Sequence, residues 1–266
     1  MICIGCDRDV KKLERSHVIP NFFRKRMTGI EHKGGGGKSF AFSWFGSLPT
    51  KDLPKPPLLC KGCESYLGSN IERDIAQYLM PNNLSDWSEW EKLPIHVSLL
   101  IDSPNFKMHV GTYRYPATIS ECLDKFSISV AWRALHSMSQ EGHPLSRSFL
   151  DTVRGEDLNE QVKKFIFHKG GERPNRAARL FYLGPQAAKT LSGSETQMPF
   201  AWTEIGDHEG IHGVAVLIGF WLIIWPLFEF SEDEFDYLDK LIGLEENVCG
   251  MWFGKVISEL SETPFS

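Results

Sequence analysis

Residues 58–64 read Leu-Leu-Cys-Lys-Gly-Cys-Glu, and this stretch decides how the first part of the chain folds. It contains a C-x-x-C pair, and residues 3–6, Cys-Ile-Gly-Cys, form a second pair with the same spacing. Two such pairs supply the four thiolates that a structural zinc ion takes in tetrahedral geometry. We therefore predict that one Zn²⁺ is held by four cysteines: Cys3, Cys6, Cys60 and Cys63. The alternative is that one pair is accidental, or that the thiols are merely buried.

The composition is that of a folded protein in a reducing compartment. The chain has 266 residues, of which 42% are hydrophobic and 24% charged, as in ordinary globular proteins. Six cysteines are too few for a disulfide scaffold of this length, and Cys122 and Cys249 have no nearby partner in sequence. Because the first cysteine pair directly follows Met1, we expect no signal segment and predict a cytoplasmic protein. In the cytoplasm, C-x-x-C pairs favour metal over disulfide.

Charge divides the chain into a basic first third and an acidic remainder. Residues 1–80 contain 13 Lys and Arg against 8 Asp and Glu, whereas the remaining residues contain 16 against 26. A basic region beside a metal-bound loop suits a polyanion such as nucleic acid. The excess is also small enough to be an ordinary solvated surface, so charge alone does not decide between the two interpretations.

One apolar run is long enough to raise the question of a membrane span. Residues 211–228 contain no Lys, Arg, Asp or Glu. The run includes His212 and Gly219, has no basic flank and is followed by acidic residues, so we expect no membrane span. We predict two buried strands instead, Val214 to Ile218 and Trp221 to Trp225, with a turn near Gly219.

The whole pattern predicts an α+β protein in two unequal parts. Residues 1–80 form a small zinc-binding module, residues 81–93 are a polar linker, and residues 94–266 form a larger α+β domain of unknown role. Further elements are predicted as a helix after Pro20, a strand over 38–44, a helix over 64–79, strands over 95–101, 106–115 and 180–183, and helices over 118–138, 146–165, 232–244 and 252–260. The tryptophans of the acidic part suit either a core or an interface with a second copy or partner protein, and we expect a core: Trp202, Trp221, Trp225 and Trp252.

Two short patterns suggest other chemistry, and their contexts argue against it. The four glycines of residues 34–37 do not match a phosphate-binding loop, because the spacing to Lys38 and Ser39 fails and a strand pattern follows. His208-Glu209-Gly210-Ile211-His212 matches the H-E-x-x-H pattern of zinc proteases, which requires a helix. Its neighbouring glycines and the strand that follows predict a turn there instead.

The first module resembles the HNH endonucleases, the zinc-bound branch of the ββα-metal nucleases. The resemblance lies in the two cysteine pairs, in Ser16-His17-Val18-Ile19-Pro20, and in Cys63-Glu64 followed by Glu72. A similar helix in relatives also matches Lys125-Phe126 through Trp132-Arg133. The resemblance covers about half of the chain. It implies a small ββα fold and, as the activity, hydrolysis of phosphodiester bonds.

The resemblance also implies roles for individual residues. His17 would be the general base that activates water, a task that suits a neutral imidazole. Glu64, in place of the family's last histidine, would bind a catalytic Mg²⁺ or Mn²⁺, and Glu72 would assist on the same helix. The basic run Arg24, Lys25 and Arg26 would contact the backbone of DNA or RNA, with DNA favoured; the alternative is a solvated helix end. The resemblance also implies a role in bacterial defence.

This sequence departs from the family pattern at two positions. Ser16 stands where an acidic residue normally precedes the histidine, and Lys55 lies where the family has its asparagine. These departures keep a second hypothesis open, in which the chain is a catalytically inactive, zinc-stabilised protein that binds nucleic acid or another protein. Equally, Glu64 and Glu72 are compatible with a solvated helix face.

Overall fold

A computed structural model describes thirteen segments of the chain. These are residues 1–23, 39–43, 46–50, 55–79, 95–103, 106–113, 117–140, 157–168, 170–174, 178–182, 199–207, 210–219 and 221–227. The predicted basic contacts Arg24, Lys25 and Arg26, the glycine run 34–37, the linker 81–93 and the helices predicted after residue 228 lie outside these residues.

The cysteine-bearing part is built from short strands and one interrupted helix. Its elements are β1 (Glu14–Arg15), β2 (Ser39–Ser43), β3 (Gly46–Thr50), β4 (Pro57–Leu59), α1 (Lys61–Leu67), a π-helical turn (Gly68–Glu72) and α2 (Arg73–Leu79). A helical turn also lies at residues 21–23, where a helix is predicted after Pro20. β1 and β4 pair antiparallel, with Glu14 opposite Leu59, and α1 starts two residues after β4 ends.

The wide π turn explains how one helical face stays buried over five turns. The buried residues recur every four positions, at Cys63, Leu67, Ile71, Ile75 and Leu79. An ideal α-helix has 3.6 residues per turn, so a strict spacing of four would drift steadily around it. The five-residue π turn takes up part of this drift and keeps the apolar face directed at the core. The helix predicted over 64–79 is therefore observed, with an earlier start at Lys61 and an interruption.

The larger part is a mixed eight-stranded sheet with two helices. Its elements are β5 (Ile95–Ser103), β6 (Phe106–Tyr113), α3 (Ala117–Gln140), α4 (Leu158–Phe167), β7 (Arg179–Tyr182), β8 (Pro199–Asp207), β9 (Gly210–Ile218) and β10 (Trp221–Pro226). The strand order is β3-β2-β8-β9-β10-β7-β6-β5, and all pairs are antiparallel except β2 with β8. The sheet therefore takes strands from both sides of the predicted 81–93 linker, which itself stays a prediction.

The apolar run 211–228 forms the two predicted strands. β9 and β10 pair with Ile218 opposite Trp221, and Gly219 adopts a positive φ of 62° in the turn between them. Residues 214–218 and 221–225 are all buried, which explains why this sequence is uninterrupted rather than alternating. Among the described helices, none is long and apolar enough to cross a membrane. Strand geometry at Gly210 and beyond also removes the helix that the H-E-x-x-H pattern would need.

Helix α3 joins the two parts. It packs against β9 and β10 of the large sheet and also against β4, the π turn and α2. Its centre is fully enclosed, with Trp132 at 0% exposure, and the Trp132 Nε1–H donates to Asn159 Oδ1 of α4 at 2.8 Å. Trp221 of β10 donates in turn to the carbonyl of Leu79 at 3.3 Å. Of the four tryptophans predicted to be core residues, Trp202, Trp221 and Trp225 lie in the described part and are buried as predicted.

Candidate zinc site and the surroundings of His17

The four predicted cysteines come together in space. The sulfur atoms of Cys3, Cys6, Cys60 and Cys63 all lie within 4.8 Å of one another, and Cys6 Sγ is 3.8 Å from Cys60 Sγ. A tetrahedron with Zn–S bonds of about 2.3 Å has sulfur–sulfur edges of about 3.8 Å. In the described part of the chain, this is the one group of three or more His, Cys, Asp or Glu side chains able to hold a metal ion.

Backbone hydrogen bonds bring the two pairs together. The Ile4 N–H donates to the Leu58 carbonyl at 3.1 Å, which lays the N-terminal segment beside β4. The Cys60 N–H donates to Cys3 Sγ at 3.1 Å, and Cys60 itself is the residue that precedes α1. Such N–H donors to sulfur orient the ligands and stabilise a thiolate, as the surroundings of metal ligands commonly do.

Gly5 permits the close approach of the two cysteine pairs. A Cβ atom at Gly5 would lie 3.0 Å from Cys63 Sγ, from Leu59 Cδ2 and from Phe167 Cζ. Gly62, which occupies the same place in the second pair, has only Cys60 Sγ nearby, at 3.9 Å. The two C-x-G-C pairs are therefore alike in sequence and different in their tolerance of a side chain.

The acidity of the thiols differs across the cluster. Burial raises the pKa of Cys3 and of Cys63, and for Cys63 the neighbouring Cys3 raises it further. Burial also acts to raise the pKa of Cys60, but hydrogen bonds from the Cys63 backbone and the other cysteines outweigh it and lower the pKa to about 7. Buried thiols of high pKa, packed against one another, become good thiolates when a cation neutralises them. The residues present therefore fit a zinc ion.

His17 lies two residues after β1, the strand that pairs with β4, and β4 leads into the second cysteine pair. The Ser16 N–H donates to the Pro56 carbonyl at 3.0 Å, and Ser16 is fully buried. Val18 and Ile19 are also fully buried, so the backbone on both sides of His17 is fixed in the core. His17 itself is partly exposed.

Arg133 of α3 holds the backbone at His17. The Arg133 guanidinium is 1% exposed and donates to the His17 carbonyl at 2.7 Å and to Glu72 Oε1 at 3.0 Å. Burial raises the pKa of Glu72, while Arg133 acts to lower it and Glu64 to raise it. Arg133 thus ties the segment of His17 to the π turn of the helix.

Glu64 lies in the first turn of α1, next to the ligand Cys63. Its Oε2 atom is buried and has no hydrogen-bond partner within the described segments, which is unusual for a carboxylate oxygen. Glu64 and Glu72 lie eight residues apart on the same interrupted helix, and Glu64 acts to raise the pKa of Glu72. His17, Glu64 and Glu72 do not form a three-ligand metal group, so binding of Mg²⁺ or Mn²⁺ stays a prediction.

Sequence reasoning missed the part played by Arg133. Its position in the Trp132-Arg133 pair is noted in the family resemblance, but nothing in the sequence connects it with His17, 116 residues away. The available signal was a charged residue inside an otherwise apolar helical stretch, since buried arginines are rare unless they are paired.

Comparisons with protein families, with curated proteins and with solved structures give no match for this chain. The resemblance to HNH endonucleases therefore rests on the motifs alone, and the four-cysteine cluster is the part compatible with it.

Proposed function

We propose that this protein is a metal-dependent endonuclease of the HNH type that cleaves DNA in preference to RNA. The observation that supports it best is the order β1, His17, β4, α1, in which two antiparallel strands lead into a helix beside the cysteine cluster. This order is compatible with the ββα arrangement that the resemblance implies, although β2 and β3 lie between β1 and β4 in the chain. The same small unit carries His17, which is partly exposed although its Nε2 atom is buried, and one carboxylate whose oxygen has no protein partner in the described part.

The proposed chemistry assigns separate tasks to the residues. Zn²⁺ bound by the four cysteines would hold β4 and α1 against the N-terminal segment and take no part in the reaction. His17 accepts a proton from the attacking water, and Glu64 provides a ligand oxygen for Mg²⁺ or Mn²⁺. A divalent ion at that position would stabilise negative charge on the scissile phosphate. The reducing cytoplasm is the proposed compartment, because it keeps the four thiols available to metal.

The second candidate is a zinc-stabilised binding protein without catalysis, whose partner is nucleic acid, another protein or a second copy of the chain. Ser16 favours it, because the family's acidic residue is absent there and the position is fully buried. A buried site of this kind would accept a carboxylate only at high cost. The basic first third of the chain serves either candidate, so only a cleavage experiment separates them.

Cleavage of plasmid DNA is the direct test of the nuclease proposal. We expect the zinc-loaded protein to nick supercoiled DNA when Mg²⁺ or Mn²⁺ is added and to cleave a structured RNA more slowly. The His17→Ala variant should lose at least about 100-fold in rate, because general-base catalysis contributes about 10²–10⁴-fold. The measurement is the initial rate of conversion of supercoiled to open-circular plasmid.

Lys164→Ala is a suitable control, because Lys164 is exposed on α4 and lies outside the basic first third, the cysteine cluster and the His17 segment. Its cleavage rate should equal that of the wild type. If the wild-type protein carries zinc and binds DNA but cleaves no nucleic acid, this result would favour the second candidate, a binding protein without catalysis. Cleavage that survives His17→Ala would remove His17 from the role of base.

A further inference from the structure

We propose that Arg133 and Glu72 form a positioning pair that fixes His17, and that Glu72 is not a ligand of the catalytic metal. The inference deepens the proposed function, because it concerns the same site, and it changes the role that sequence resemblance gives to Glu72.

The first argument is the set of groups to which Arg133 donates hydrogen bonds. Its Nε–H donates to the Ser129 carbonyl within α3 at 3.2 Å, which fixes the plane of the guanidinium. Its two outer nitrogens then reach two different segments, the His17 carbonyl and Glu72 Oε1. A planar, always charged fork is suited to this kind of bridge, and lysine is not.

The second argument is the position of Glu72. It is the last residue of the π turn, and only 18% of its side chain is exposed. Cys122 of α3 donates to the Ile71 carbonyl at 3.6 Å, so the turn is held against α3 at two points. Glu72 is largely buried and is paired with the buried Arg133. Glu64, in contrast, has a buried oxygen that has no hydrogen-bond partner in the described part. Of the two, Glu64 is the one placed to bind a cation.

The third argument concerns the position of His17 if the Arg133–Glu72 pair were removed. The segment around His17 is fixed by Ser16, Val18 and Ile19 in the core, but the carbonyl of His17 itself receives its charged hydrogen bond from Arg133. Loss of this bond would allow the peptide plane at His17 to rotate and displace the imidazole. Displacement of a reacting group by about 1 Å can reduce a rate about 100-fold.

The test compares three variants of the zinc-loaded full chain. The double variant Arg133→Gln/Glu72→Gln removes both charges at once and avoids a lone buried ion. Glu72→Gln alone keeps an oxygen that accepts from Arg133. Arg173→Gln is the control, because Arg173 forms an ion pair with Asp124 of the same helix α3 without contacting His17.

The first readout is independent of activity. Histidine imidazole signals are recorded by ¹H–¹⁵N NMR, with the His17 signal assigned by its loss in His17→Ala. We expect the double variant to shift the His17 signal and its titration midpoint, with zinc content unchanged, while Glu72→Gln shifts it less and Arg173→Gln does not shift it. A His17 signal that coincides with the wild type in the zinc-loaded double variant would overturn the inference.

The second readout uses cleavage and separates a positioning role from metal binding. We expect the double variant to lose about 100-fold in kcat, with the half-saturating concentration of Mn²⁺ or Mg²⁺ unchanged within about twofold, and Glu72→Gln to recover most of the rate. If Glu72→Gln instead raises the half-saturating metal concentration tenfold or more, Glu72 is a metal ligand and the inference is wrong. Absence of cleavage by the wild type would refute the nuclease proposal, while the NMR result still decides the inference. Should the double variant fail to fold, Arg133→Lys replaces it in both measurements, with the same expected shifts.

Discussion

Replacing Cys63 with serine is expected to remove the zinc ion and to lower the melting temperature by about 10 °C. Cys63 is 9% exposed and is part of the four-sulfur cluster. Zinc bound at a free concentration 1,000 times its Kd contributes about 4 kcal/mol to the free energy of unfolding. For a chain of this length, each kcal/mol corresponds to about 2–4 °C.

Two measurements check this result. Metal analysis of the purified wild type should give about one zinc per chain, and Cys63→Ser should give none. Scanning calorimetry should show the lower melting temperature in Cys63→Ser, and a chelator added to the wild type should reproduce it, because metal binding and folding are coupled.

Cys122→Ser is the matched control for the loss of a thiol. Cys122 is also partly buried, but its Sγ donates to the Asn70 and Ile71 carbonyls and is not part of the cluster. A serine hydroxyl can make the same donation, so zinc content should stay at one. If Cys63→Ser retains a full equivalent of zinc, the cluster is not the metal site; if the wild type contains no metal, the zinc prediction is wrong.

Replacing Gly5 with alanine is expected to weaken zinc binding by about tenfold to 100-fold. The new methyl group would lie 3.0 Å from Cys63 Sγ, Leu59 Cδ2 and Phe167 Cζ, and two of these atoms are held in the core. Overpacking of this kind costs about 1–3 kcal/mol. Because the strain falls on the distance between the two cysteine pairs, it should appear in the zinc affinity, measured by competition with a chromophoric chelator.

Gly62→Ala provides an unusually close comparison, since both glycines occupy the last place before the second cysteine of a C-x-G-C pair. Gly62 lies in α1 and is exposed, and its new Cβ would meet only Cys60 Sγ at an ordinary 3.9 Å. Zinc affinity should be unchanged, and helix propensity should raise the stability by up to about 1 kcal/mol. Equal affinities in the two variants would show that the packing at Gly5 does not control the metal site.

The secondary structure was predictable where neighbouring residues alone carry the pattern. The helical spacing of apolar residues from Tyr66 to Leu79 predicted a helix, and the unbroken apolar run around Gly219 predicted two buried strands. The π turn was not predictable, because it packs against α3 and no local pattern encodes that contact. The pairing of β2 with β8 joins residues about 160 apart, and no short-range pattern encodes such a contact.

The candidate site shows the same division. The cysteine cluster followed from spacing, since a C-x-x-C pair has few uses in a reducing compartment. His17, Glu64 and Glu72 followed from resemblance, and their roles stay predictions. The hydrogen bonds of Arg133 depend on the tertiary packing of α3. The difference between Gly5 and Gly62, which hold the same place in their C-x-G-C pairs, also depends on tertiary contacts.

Arg133 lies 116 residues after His17, and this separation determines the order in which the parts of the site can form during translation. All four sulfur ligands have been translated once residue 63 is complete, so zinc can enter a nascent chain that still lacks α3. The hydrogen bond to His17 must wait for residue 133, seventy codons later. Domains form progressively as the chain emerges from the ribosome. We therefore expect zinc loading to precede completion of the surroundings of His17, so that the proposed activity would arise only after α3 has emerged and packed.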